Sequence, residues 1–133
     1  MRIKTLYVGL TLLGCSLAAA LAADADLSKL PPAASTKGVT FEKDIKAVFE
    51  KSCFKCHGSE KQKGKLRLDS LEAVLKGSEN GKVLEAGKSE KSVLVHNIAR
   101  LKPDDAMPPE GKGDPLTKEQ VGLIRAWIDQ GAK

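Results

Sequence analysis

From residue 39 onward the chain sets short apolar faces at helical spacing between polar, glycine- and proline-bearing turns. Phe41, Ile45, Val48 and Phe49 recur at helical intervals behind Thr40, a capping side chain, and predict a first helix from Phe41 to about Ser52. Leu66-Arg67-Leu68-Asp69 alternates apolar with polar and reads as a short extended segment. Ser70 then caps a second helix, with Leu71, Val74 and Leu75 inward and Gly77 as its stop. A glycine-containing loop from Ser78 to Gly87 leads to Ser89, placed to cap a third helix that runs to about Arg100. Its buried side is drawn by Val93, Leu94, Asn97, Ile98 and Leu101. Pro103, Pro108 and Pro109 exclude a regular helix from the next stretch and stiffen it. The last helix has the clearest signature. Thr117 and Gln120 form a capping box, Val121, Ile124, Trp127 and Ile128 share one face, and Gly131 ends it. The fold class expected is all-α, without internal repeats.

The first 38 residues follow a different pattern. Arg2 and Lys4 precede an uncharged apolar run from Leu6 to Ala23, and Ala20-Leu21-Ala22 offers a small-x-small cleavage site, so residues 1–22 read as an export signal. The run is only just long enough to cross a bilayer, and its alanine-rich second half is weakly apolar, which favours removal over retention as a membrane helix. Leu12-Leu13-Gly14-Cys15 also resembles a lipobox, in which Cys15 becomes lipidated. The apolar stretch continues past Cys15, and this favours simple cleavage near Ala22. Membrane attachment is expected only with lipidation at Cys15, and the compartment expected is the periplasm. Residues 23–38, with Pro31-Pro32 and Ala33-Ala34, read as a flexible linker. The folded domain is then residues 39–133. A domain of that size has a thin core. It is poor in aromatic residues, because the only tyrosine, Tyr7, lies in the signal.

Cys53-Phe54-Lys55-Cys56-His57 changes the picture. C-x-x-C-H is the attachment sequence of a c-type haem. Residues three apart on a helix share a face, so two thiols reach one edge of a porphyrin and the following imidazole reaches the iron. Cys53 and Cys56 as thioether anchors and His57 as an iron ligand therefore predict one covalently bound haem c. A redox dithiol, half a zinc site and a small disulfide loop are the competing readings. Zinc needs about four ligands, and the spacing from His57 to His96 matches no common zinc module. A thioredoxin-like site needs alternating strands and helices, which the pattern lacks.

A sixth iron position needs a second ligand. Met107, the one methionine beyond the signal, lies in the proline-stiffened loop, where no apolar helix face claims it for packing. A thioether there gives a six-coordinate iron of raised reduction potential. His96, within the third helix, is the rival. The formal charge is +5, of which Arg2 and Lys4 supply two units. Lys51, Lys55, Lys61, Lys63, Lys65 and Arg67 gather around the motif against a single Glu60. This is either an ordinary solvated surface or a basic rim that steers an acidic redox partner. Nucleic-acid binding is a poor alternative and no nucleic-acid partner is expected, since there is no recognised module and aromatics are not interleaved with the basic residues.

The sequence beyond the linker resembles the planctomycete-type cytochrome c domain, a class I-like mono-haem cytochrome c. The residues that carry the likeness are Phe41-x-x-Asp44-Ile45, Cys53-x-x-Cys56-His57-Gly58, Lys63-Gly64-x-Leu66-Arg67-Leu68-Asp69, Gly87-Lys88-Ser89 with Ser92-x-Leu94, Met107-Pro108-Pro109, Leu116-Thr117 and Trp127-Ile128-Asp129-x-Gly131-Ala132. Ala86 stands where that family commonly has proline. The resemblance implies a small helical domain wrapped around one haem, with His57 and Met107 as axial ligands and the first and last helices crossing near the haem edge. It implies an electron carrier rather than an enzyme. A haem-binding sensor and an electron-transfer subunit of a larger oxidoreductase are the alternatives. Two side chains remain open at this level. Arg67 either pairs with a haem propionate or faces solvent. Trp127 is expected against the first helix near Phe49, its indole N–H bound to a backbone carbonyl or a propionate.

Overall fold

The computed structural model describes residues 25–133. The expected export signal and Cys15 lie outside them. The described chain is all-α: five α-helices joined by irregular segments that carry 3-10 turns, with no strand among the described residues. Among these residues no helix is long and apolar enough to cross a membrane.

The first predicted helix begins as a wider turn. Phe41–Ile45 is π-helical, with Lys46 N–H donating to the Phe41 carbonyl, and continues into α1, Lys46–Ser52. Thr40 caps it as expected: its hydroxyl accepts from Lys43 N–H at 3.4 Å while Asp44 accepts from Thr40 N–H at 2.8 Å. Phe41, Ile45 and Phe49 are all buried. Cys53 breaks the helix, and α2, Phe54–His57, follows as a single turn. Helix α3, Leu71–Lys76, has the predicted Ser70 cap on Ala73 N–H at 3.2 Å and ends at Gly77. Gly77 has φ +90°, in the left-handed region where side chains are strained.

The third predicted helix is shorter than its pattern suggests. A 3-10 turn, Ser89–Lys91, is separated by Ser92 from α4, Val93–Ile98. The Ser92 hydroxyl donates to the Lys88 carbonyl and accepts from Glu85 N–H, both at 3.0 Å, and this local bonding competes with a continuous helix. Ser89 is not a cap. Its N–H and hydroxyl donate to the Asp129 carboxylate at 2.8 and 3.0 Å. The register shifts accordingly: Val95 is fully buried, whereas Val93, expected inside, is 45% exposed.

Helix α5, Lys118–Asp129, matches its pattern. The capping box is complete, with bonds of 2.9 and 3.1 Å, and Val121, Ile124, Trp127 and Ile128 are buried. Trp127 packs against Phe41 at a tilt and against Phe49 edge-to-face, at centroid separations of 5.9 and 6.4 Å, joining the two ends of the domain. Its indole N–H donates to the Lys133 carbonyl at 2.9 Å, and Phe41 N–H donates to the same oxygen at 2.8 Å. Of the two partners considered for that N–H, the backbone carbonyl is the one found.

The segment read as a flexible linker is laid along α5 instead. Ala34 N–H donates to the Gly122 carbonyl at 2.9 Å, and Gln130 donates to the Thr36 carbonyl at 2.8 Å. The Arg125 guanidinium donates to the Pro31 carbonyl and to Ser89 Oγ. Proline-rich composition signals an extended backbone but not whether a neighbour holds it. Gly122 makes the contact possible, since a Cβ there would stand 2.7 Å from the Pro32 carbonyl oxygen. Gly122→Ala is expected to displace this segment. The better helix former adds about 1 kcal/mol to α5, so the melting temperature should change little while protease cleavage within residues 25–38 accelerates. Unchanged cleavage would show that the contact contributes nothing.

Candidate functional site

The C-x-x-C-H run is closed by its own backbone. Cys56 N–H and His57 N–H both donate to the Cys53 carbonyl, at 3.0 and 2.9 Å. This single turn holds the two thiols and the imidazole together. The following chain folds back on it: Leu68 N–H donates to the His57 carbonyl at 2.8 Å, and Gly58 N–H to the Lys61 carbonyl at 2.8 Å. The Leu66–Asp69 stretch thus lies beside the motif, with Leu68 buried.

Cys53, Cys56, His57 and Met107, fifty-four residues apart at the extremes, line one cleft. Its walls are apolar and come from Leu66 and Leu68, Val83, Leu94 and Ile98 of α4, and Leu116. Val93 lines it too, so the exposed valine marks the cleft rather than a misplaced core residue. Lys55 and Lys112 are the charged residues of the lining, and both are exposed.

The donor chemistry fits a haem. His57 Nδ1 is buried without any hydrogen-bond partner, an uncommon condition that calls for an explanation. Burial lowers the imidazole pKa, against the opposing effect of the Leu66 and Lys63 backbone, and so favours the neutral, metal-binding form. Burial, with Cys56 beside it, pushes the Cys53 thiol up to about 12. A redox dithiol needs a lowered pKa and a stabilised thiolate, so this environment speaks against that reading. Cys53 and Cys56 are both unpaired thiols. Among the described residues no group of three or more His, Cys, Asp or Glu side chains gathers as a metal site, which removes the support for zinc.

Other side chains singled out in the sequence stand elsewhere. His96 does not line the cleft; its Nε2 lies 2.6 Å from the Glu90 carbonyl oxygen. Arg67 forms a two-pronged pair with Asp69, at 3.0 and 2.7 Å, and is absent from the cleft lining, so its first obligation is to that carboxylate. Trp127 is a core residue and not a cleft residue. Asn97, read as part of the third helix's buried side but given no role, lines the cleft, and its carbonyl accepts from Met107 N–H at 2.9 Å. Its place one turn after Val93 was the available signal, but helical spacing does not separate a cleft wall from a core face.

Residues 53–111 match the family described as Planctomycete cytochrome C. No curated protein and no solved structure matches the chain.

Proposed function

We propose that the chain, whose residues 53–111 match the family described as Planctomycete cytochrome C, is an exported mono-haem cytochrome passing single electrons between redox proteins. The observation that carries this reading is the convergence of Cys53, Cys56, His57 and Met107 on one apolar cleft. When bound, haem supplies a one-electron couple at its iron. Cys53 and Cys56 would hold the ring by thioether bonds, and His57 and Met107 would be the iron ligands. The apolar wall of Leu68, Leu94 and Ile98 would exclude water from the ligands, and a thioether ligand in a dry site favours the reduced state.

No acid–base pair for peroxide chemistry is supported, since His96, the residue considered for that role, is engaged outside the cleft. Lys55 and Lys112 at the cleft, with Lys51, Lys61 and Lys63 nearby in sequence, favour an acidic docking partner whose association slows as ionic strength rises. The test is spectroscopic. The purified protein should carry a low-spin, six-coordinate haem that titrates with one electron and leaves carbon monoxide unbound when reduced. A five-coordinate iron that takes up carbon monoxide readily would refute the Met107 assignment.

A further inference from the structure

We propose that Arg100 is a positioning residue that fixes the Met107 loop against the end of α4; its bearing on iron chemistry rests on the Met107 reading above. Two hydrogen bonds bracket Met107. On one side its own N–H donates to the Asn97 carbonyl at 2.9 Å. On the other, Arg100 Nη1 donates to the carbonyl of Pro108, the next residue, at 2.7 Å. The backbone flanking the sulfur-bearing residue is therefore tied at both ends to one short stretch of chain.

Arg100 occupies an unusual place for this task. Helix α4 closes with Arg100 N–H donating to the Asn97 carbonyl at 3.1 Å and Leu101 N–H to the His96 carbonyl at 3.1 Å. Arg100 itself has φ +57°. That is the left-handed closing position of a helix, where glycine is the usual residue because any Cβ is strained. The sequence accepts that strain at a residue whose side chain spans to the Met107 loop. Arg100 does not line the cleft, so it acts through the backbone of the loop. A favourable interaction between a cation and the helix end is the simpler role, but it would not require the bond to Pro108.

Arg100→Gly removes the guanidinium while suiting the backbone, and readouts at Met107 tell loop anchoring from a helix-end charge, whose loss would touch only the melting temperature. The haem-loaded ferric protein is titrated with imidazole, a neutral competitor whose approach does not depend on the lost charge. Arg100→Gly should bind imidazole about ten-fold more tightly, the scale of one charge-assisted hydrogen bond, with an undiminished melting temperature, and Arg100→Lys should recover part of the loss. Hydrogen exchange at Met107 N–H in the same variants reads the anchoring without reference to iron, and should be about ten-fold faster in Arg100→Gly. Wild-type exchange in Arg100→Gly, or failure of that variant to fold, would overturn the proposal. Wild-type protein that binds imidazole freely, combined with faster exchange in the variant, would refute Met107 as ligand while leaving the anchoring intact.

Discussion

Cys53→Ala combined with Cys56→Ala is expected to eliminate covalently held haem completely, whereas either change alone should leave one thioether and a reduced yield. The two thiols stand in one turn closed by the Cys53 carbonyl and share a cleft whose wall is mostly apolar. A cofactor that binds only the folded chain stabilises it, by about 4 kcal/mol when effectively a thousand-fold above its dissociation constant. The double variant should therefore also melt well below the wild type. Denaturing gels stained for haem and a thermal melt measure the two effects. If these cysteines were a redox dithiol instead, the double variant would keep its melting temperature, and there would be no pigment to lose.

Met107→Ala should open the sixth position. Reduced protein that leaves carbon monoxide unbound would then bind it stoichiometrically. The potential should fall by on the order of 100 mV, within the ≈ 0.8 V range that axial ligands span. His96 is not placed to rescue the site, since it lies outside the cleft with its Nε2 at the Glu90 carbonyl. Met107→His restores a strong ligand and should suppress carbon monoxide binding again, at a potential below wild type. A Met107→Ala protein with unchanged spectrum and potential would show that the sulfur is not a ligand.

Much of the helical order was legible in the chain because local signals and tertiary demands agree. Thr40, Ser70 and Thr117 each cap the helix that their spacing announces, and the apolar face of α5 is buried residue for residue. The departures occur where long-range partners decide. Ser89 looks like a cap from its neighbours but binds Asp129, forty residues away. Residues 31–36 look like a linker until Gly122 offers them a flat helix surface. Arg67 was weighed as a propionate partner, and the carboxylate two residues along takes it. At the site, the C-x-x-C-H turn is local and could be read directly. The approach of Met107 depends on the anchoring of its loop by Asn97 and Arg100, and no spacing rule encodes that.

Intact mass spectrometry of protein matured in a host that attaches haem c tests the central claim most directly. The account predicts a polypeptide heavier by a single haem, unchanged by denaturation and acidified acetone. A mass equal to the bare chain, or pigment that dissociates under those conditions, would contradict it.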